Sequence, residues 1–592
     1  MSNLETQFET HEHDVIVIGA GGAGLRAAIA AAQAGMRTAV ICKSLLGKAH
    51  TVMAEGGVAA SLGNVDPEDG WKTHFSDTMK GGKGINNWRM AEIFAKEAPD
   101  RVLELERWGA IFDRTPAGLI NQRPFGAHTY RRLCHIGDRT GLELIRSLQD
   151  KGIHSGMDVF MEYTMTRLIK DADGRVSGAF GYRREDGRFV VFKAKAVVMA
   201  TGGWGKMFKV TSNSWESTGD GLAMAFEAGA ELVDMEFVQF HPTGMIWPPG
   251  ARGILVTEAV RGEGGRLKNS EGRRFMEDYD PDRMELSSRD VVARSIYKEV
   301  QAGRGSEHGG AYLDITHRGA DYIKKKLPSM HEQFLKLADV EITKEPMEVA
   351  PTIHYVMGGI RVDPETAAAS IPGLFAAGEV AGGLHGANRL GGNSLSDILV
   401  FGKRAGDGAA AFARDRGEVG GLDEAEIEAE KALVLRPFDN FEAGKRENPF
   451  TFMAQVQEVM GEHNGIARTG EGLEAGLGKW LELKARVDEL AVADSRIYNP
   501  GWHAARDQRF MIEIGEAMLR CGIERTESRG SHWRLDHLDL DPEWGKLNLV
   551  VTLHDGDVKV ERRPTETMPA ELAGLIDDKP AVSQAALQAT RQ

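Results

Sequence analysis

Cysteine is scarce in this chain: Cys42, Cys134 and Cys521 are the three in 592 residues. They are far apart and odd in number, which gives neither a disulfide framework nor a metal-ligand spacing. An iron–sulfur cluster held within the chain is excluded on that count, and a reducing compartment is the expected home. Long apolar runs are also missing. None approaches the roughly 18 residues that a membrane-spanning helix needs, so any membrane attachment has to come through partner subunits. The first residues, MSNLETQFETHEHD, have neither the basic nor the apolar region of a signal peptide. His11 and His13 within them read as a solvated leader rather than a metal pair. Positive charge is in deficit, with 72 Lys and Arg against 87 Asp and Glu, a net charge of −15. That argues against a nucleic-acid partner. An anionic substrate would have to be met by a local cluster of Arg and His.

Glycine is what the chain has in excess, 71 of 592 residues against roughly 7% in ordinary proteins. Much of it sits where apolar runs stop. DVIVI (14–18) leads into Gly19, Ala20, Gly21, Gly22, Ala23 and Gly24, then into the Ala-rich LRAAIAAAQAG and a second β-like run, TAVIC, that ends at Cys42. Strand, glycine turn, helix and strand in that order are the opening βαβ unit of a dinucleotide fold. The glycines permit a tight turn, backbone approach to a pyrophosphate and close helix–strand packing, while the helix N-terminus offers N–H groups to the phosphates. In place of the acidic residue expected after the second strand stand Cys42, Lys43 and Ser44, so the ribose must be held otherwise or from another segment. Two further runs, AVVMATGG (196–203) and GLFAAGE (373–379), read as buried strands that end in glycine turns. Three such strands far apart suit FAD better than a mobile NAD, and they make the nucleotide domain discontinuous.

The expected architecture is α/β: an FAD-binding Rossmann-type domain with an inserted α+β capping domain, then a helical domain and a small C-terminal domain. The boundaries fall at 1–244 and 356–419 for the two parts of the FAD domain, 245–355 for the insertion, 420–540 for the helical domain and 541–592 for the last. Helical periodicity carries Leu473, Leu477, Trp480, Leu483, Val487 and Leu490, and again Met511, Ile514, Met518 and Cys521, at spacings of three and four. The end of the chain begins strand-like at LNLVVTL and finishes in a polar, Ala-rich stretch whose composition allows disorder.

The segment His50-Thr51-Val52-Met53-Ala54-Glu55-Gly56-Gly57 offers an imidazole beside a glycine turn. It is either a satisfied structural histidine or a nucleophile for a flavin methyl group, and spacing alone does not choose. The segments 19–24, 50–57, 241–244, 257–265, 289–294, 354–359 and 385–394 resemble those of succinate dehydrogenase and fumarate reductase flavoprotein subunits, and the likeness runs from about Asp14 to about residue 545. The resemblance implies FAD attached covalently through His50, with Ala49, Thr51, Glu55, Gly56, Gly57, Asp220, Glu379, Ser394 and Leu395 among the cofactor contacts; Glu379 suits a ribose hydroxyl.

A dicarboxylate needs two anion-binding ends, which Arg and His supply through charge-assisted hydrogen bonds. The family pattern places His241, Thr257, His354 and Arg389 on the carboxylates. It makes Arg289 the proton donor or acceptor opposite hydride transfer, with Glu258 and Arg261 relaying that proton to solvent. The implied reaction is succinate to fumarate or its reverse. The implied partners are a membrane anchor with quinone, with or without haem, and an iron–sulfur subunit; no metal site lies within the chain. The implied location is the cytoplasmic face of the plasma membrane. Direction stays open. L-Aspartate oxidase and soluble fumarate reductases share the fold, but the His50 position and the absence of C-x-x-C-H haem motifs argue against both. After QRPFG the chain is shorter than many family members; Cys134, His135 and Arg139 fall there without a role, and the stretch after about residue 550 matches weakly.

Overall fold

A computed structural model describes residues 8–577; the Ala-rich end of the chain lies outside them. Strand β1 (Glu9–Ile18), helix α1 (Gly22–Gln33) and strand β2 (Thr38–Cys42) form the opening unit. The two strands are parallel, Val15 opposite Thr38 and Ile18 opposite Ile41. Val15, Ile16 and Val17 are fully buried, as a strand covered on both faces requires. Strands β3 (Asp158–Met161), β4 (Tyr163–Lys170), β5 (Val176–Arg183) and β6 (Phe189–Met199) follow. Further on come β7 (Val238–Met245), α2 (Arg289–Gln301), β8 (Met347–Val356), β9 (Leu374–Ala376) and the long α3 (Asn393–Arg416).

Sheet order is β3-β2-β1-β6-β5-β4, with β9 also paired to β6. The three glycine-terminated runs, β1, β6 and β9, are therefore parallel neighbours, Ile18 opposite Met199 and Ala376 opposite the same Met199. Their C-terminal ends open onto one crevice, where ligands of such sheets bind. Helix α1 can approach α3 closely because both present small residues: a Cβ on Gly406 would lie 2.2 Å from the Ala27 carbonyl oxygen.

The reading of His11 and His13 as a solvated leader needs correction. Strand β1 starts at Glu9, not Asp14, and Glu9 to His13 pair with Val190 to Ala194 of the long β6. His13 is buried with its Nε2 2.9 Å from Asp158, and the His11 ring stacks on Phe192. The length of the partner strand, invisible locally, draws these polar residues into the sheet.

Between β7 and β8 the chain builds an antiparallel four-stranded sheet with Arg266–Lys268 and Ala311–Asp314, packed around its own core, which includes Val256, Leu313, Ile323 and Phe334. Helices α4 (Pro449–His463), α5 (Gly470–Arg486) and α6 (Pro500–Glu524) follow α3. Leu473, Trp480 and Leu483 on α5 and Met511, Ile514, Met518 and Cys521 on α6 are buried; Trp480 satisfies its indole N–H on the Ile512 carbonyl at 2.8 Å. Strands β10 (Leu547–His554) and β11 (Asp557–Pro564) then join a sheet with Leu232–Val233. No helix among the described residues is long and apolar enough to cross a membrane.

Candidate active site

The glycine turn after β1 is dictated by contact. Gly19 has φ +112°, and a Cβ there would meet the Ala200 carbonyl oxygen at 2.2 Å; one on Gly24 would meet the Gly19 carbonyl oxygen at 1.9 Å. Both are positions no larger residue can take without moving backbone. The turn opens onto a cleft of about 1310 Å³, open mouth included. Gly19, Ala20, Gly21, Gly22, Ala23, Cys42, Lys43, Ser44, Ala49, His50, Thr51, Asp220, Glu379, Arg389, Ser394 and Leu395 line it.

Gly24, Glu55, Gly56 and Gly57 do not line the cleft. The last three form the turn behind His50: Arg123 donates to the carbonyls of Glu55 and Gly56, each at 2.8 Å, and Phe125 leaves no room for a Cβ on Gly56. After β2, acidic groups do arrive from elsewhere. Lys43 lies 2.7 Å from Asp507 and 3.3 Å from Asp220, and Glu216 lines the cleft with its Oε1 buried and unpartnered. Thr201 Oγ1 and His50 Nδ1, also on the wall, are like that Glu216 oxygen buried without a hydrogen-bond partner among the described residues. Buried polar atoms need partners, so a glycine cradle with three orphaned polar atoms fits a long, polar dinucleotide cofactor. Burial, with Arg389 close by, pushes the His50 pKa down to about 4, so its imidazole is neutral at pH 7.

His354 and Arg389 are walls shared between this cleft and a cationic cluster. The His354 ring centroid is 5.0 Å from that of His241 and 6.2 Å from that of His50. Ser212 pairs with His354 Nδ1 at 2.8 Å, and the His241 Nδ1 lies 3.0 Å from the Thr243 carbonyl. Burial first, and Arg289 next, hold both histidines well below the usual imidazole range. Arg389 stacks 4.2 Å over the Tyr355 ring and donates to Ser394 Oγ at 2.8 Å; burial and the nearby Arg289 charge push its pKa down. Concentrated, dehydrated positive charge of this kind is relieved by an anion. Thr257 is buried beside Glu258, its Oγ1 accepting from the Ala259 amide at 3.3 Å.

Glu258 sits under the cluster. Its Oε2 accepts from Arg289 Nε at 2.8 Å and lies 3.5 Å from Arg261 Nη2; its Oε1 accepts from the Gly126 amide at 2.7 Å. Burial raises the carboxyl pKa, but Arg289 and Arg261 outweigh it and hold the group at about 2. Arg261 is fully buried; Nη1 donates to the Glu285 carbonyl at 2.6 Å, while Nε and Nη2 have no protein acceptor among the described residues.

The sequence reading passed over Gln239, the hub of this arrangement. Its Oε1 accepts from Arg289 Nη1 at 3.0 Å, and its Nε2 donates to the Arg389 carbonyl at 2.6 Å and to Asn388 Oδ1 at 2.9 Å. Asn213, which bonds the His354 carbonyl at 2.8 Å and approaches His50 Nε2 at 3.4 Å, was also missed. Gln239 lies two residues before His241 in β7, a spacing that shares a strand face. The register shifts at 239/240 and between 241 and 244 were not readable from the sequence; such bulges re-aim side chains. Cys134 and His135 do not join the cluster. Burial pushes the Cys134 thiol up, away from reactivity, and His135 faces Asp113 at 3.1 Å.

Comparison with known proteins agrees with this geometry. The FAD binding domain family matches residues 14–395, and the fumarate reductase flavoprotein C-terminal family matches 453–575. Fold and site thus define an FAD-binding oxidoreductase. The chain belongs to the succinate dehydrogenase and fumarate reductase flavoprotein family. Sdh1 of Mycobacterium smegmatis, solved in complex with UQ1, is 53% identical with a TM-score of 0.87 over 96% of this chain and 97% of that one. The flavoprotein of E. coli quinol fumarate reductase, in a single-residue variant, is 35% identical with a TM-score of 0.88 over 95% and 98%. The corresponding subunit of the CoM/CoB fumarate reductase of Methanothermobacter marburgensis is 46% identical over 92% of this chain and 98% of its own length.

Glu379 on the cleft wall accepts from the Val356 amide at 3.1 Å. Burial, only partly opposed by that bond and by Arg389, pushes its pKa from 4.5 up to about 7. Folding therefore binds a proton that the unfolded chain has lost, and the contribution is full below pH 4.5 and gone above about 7. Stability of the flavin-free chain should fall by about 3 kcal/mol across that window through this residue. Glu379→Gln is expected to flatten the decline, read by urea denaturation at pH 5 and pH 7.5; an equal decline in both proteins refutes the assignment.

Proposed function

We propose that this chain oxidises succinate to fumarate, holding FAD covalently through His50 and passing electrons to an iron–sulfur subunit. The observation that carries the reading is the Gln239 bridge, which holds Arg289 and the backbone of Arg389 on one side chain, with His241 and His354 beside them. Two groups of hydrogen-bond donors, backed by the charges of Arg289 and Arg389, meet beside the cofactor cleft, as a short diacid requires. FAD, when bound, supplies the two-electron acceptor.

The side chains do the rest. Arg389 and His354 grip one carboxylate; His241 and Thr257 grip the other. Fixing both ends removes the translational and rotational freedom of the substrate before reaction. Arg289 moves the proton at the carbon opposite hydride transfer. A guanidinium is a poor acid in water, but here its Nε proton already rests on the ionised Glu258, so loss and re-supply can be concerted. Arg261, paired with Glu258 at 3.5 Å, continues the relay, though it is itself too deep to meet solvent.

Turnover of both succinate and fumarate by the purified flavoprotein, with artificial electron carriers, tests the reading; inactivity with both diacids refutes it. Glu258→Gln keeps the shape and removes the relay's charge. It is expected to lower kcat by roughly 10²-fold or more in both directions, with KM changed by less than about threefold. An unchanged kcat removes Glu258 from the proton path.

The relative named for CoM/CoB fumarate reductase favours a second reading, in which the physiological direction is fumarate reduction. In either case membrane attachment, on the cytoplasmic face, comes through quinone-binding anchor subunits and an iron–sulfur subunit.

A further inference from the structure

The two substrate-facing arginines stand on different elements. Arg289 opens helix α2, in the inserted region; Arg389 stands on the loop between β9 and α3. Behind both, and outside the cleft, lies a tight turn from the helical domain, Arg529-Gly530-Ser531-His532-Trp533. The Arg529 amide donates to the His532 carbonyl at 2.9 Å and the His532 amide to the Arg529 carbonyl at 3.0 Å. Glu527 braces Arg529 through Nε at 2.6 Å and Nη2 at 3.0 Å. His532 Nδ1 pairs with Arg468 Nη1 at 2.9 Å, which also donates to the Glu236 carbonyl at 2.7 Å. The turn is thus braced and tied to the segment just before β7.

One side of the turn grips α2. Arg294 donates from Nη2 to the Gly530 carbonyl, its guanidinium lies 5.4 Å over the Trp533 ring, and Tyr297 meets that ring edge-on at 5.8 Å. The other side grips the Arg389 loop. The Ser531 amide donates to the Ala387 carbonyl at 2.9 Å. Gly530, at φ +52°, lies so close that a Cβ would sit 2.3 Å from the same oxygen. Two cross-links close the frame: Asn388 donates to Asp290 at 3.1 Å, and Arg529 Nη1 donates to the carbonyl of Lys83 at 2.7 Å, whose amine lies 3.9 Å from Asp290. The neighbours of both arginines are therefore fastened to one braced turn.

We infer that the Arg529–Trp533 turn is a clamp that sets the separation of Arg289 and Arg389, with Arg294 as a positioning residue for the dicarboxylate reaction. The inference rests on the functional reading above. Arg294 engages the Gly530 carbonyl and the Trp533 ring, so its effect on turnover passes through the placement of the arginines. A misplacement of about 1 Å can cost roughly 10²-fold in rate.

The test is Arg294→Met in the full-length holo-flavoprotein, with Arg294→Lys beside it. Met keeps the stem against Trp533 but cannot donate to Gly530; Lys can. The expected result for Met is a fall in kcat/KM of roughly 10- to 100-fold, shared between a higher KM for succinate and a lower kcat, with flavin content and melting temperature held. Lys should recover most of the loss, and the Kd for malonate should rise and recover in the same order. Should the Met variant lose its flavin, Trp533→Leu, which loosens the same face, is expected to raise KM in the same sense. The clamp is overturned by wild-type kcat/KM in Arg294→Met, or in Trp533→Leu if that is the variant measured. It is equally overturned by Lys doing no better than Met, or by a loss that tracks flavin content alone. A wild-type protein inactive with both diacids overturns the functional reading, and the clamp with it.

Discussion

Replacing Arg289 with alanine is expected to abolish turnover in both directions, by at least about 10³-fold in kcat, while flavin stays bound. Three losses coincide. The proton donor goes, worth roughly 10²- to 10⁴-fold where a positioned acid acts. One cation facing the diacid goes with it, so KM rises. Glu258 loses its partner at 2.8 Å and keeps Arg261 at 3.5 Å and the Gly126 amide, so burial lifts its pKa from about 2 and the relay loses its ionised acceptor. Arg289→Lys separates these terms. A lysine restores the charge but cannot serve Glu258 and Gln239 together, because it lacks the planar fork. It should recover part of the binding and little of the rate. Steady-state kinetics with succinate and with fumarate decide the matter, and a kcat in Arg289→Ala within tenfold of wild type would exclude Arg289 as the acid.

The second large effect is expected at His50. The wild-type chain should carry flavin fluorescence through a denaturing gel; His50→Ala should carry none, while FAD still binds the native protein through the glycine cradle. The neutral imidazole, held at a pKa of about 4 by burial and Arg389, has a free lone pair at pH 7, which a nucleophile requires. Loss of the bond is expected to lower the flavin potential. Succinate oxidation should then fall by about tenfold or more, equivalent to about 1.4 kcal/mol, and fumarate reduction by much less. Fluorescence surviving in His50→Ala would place the bond elsewhere, and none in the wild type would remove it.

Much of this protein was legible in one dimension because its constraints are local. Glycine at 24 answers to the Gly19 carbonyl within one βαβ unit, and the periodicity of 470–486 and 500–524 reports which face of a helix is buried. The separated glycine-ended runs announced a discontinuous domain, and β1, β6 and β9 do pair in one sheet. Other features depended on partners distant in the chain. The solvated reading of His11 and His13 failed because β6 is long enough to pair with them. Gln239 was passed over because its importance lies in bonds to residues 50 and 150 positions away.

By itself, the sequence determined the opening βαβ unit with its glycine turn, which follows from spacings shorter than one supersecondary unit; the Arg and His residues for a diacid were picked out by family resemblance. The tertiary structure alone decided that Arg289 and Arg389 share a bridging glutamine and that a turn near residue 530 bonds to both arginine-bearing elements. The reason is physical: charge, burial and hydrogen bonding act through ångströms of space, and sequence separation says little about them once the chain has folded back on itself.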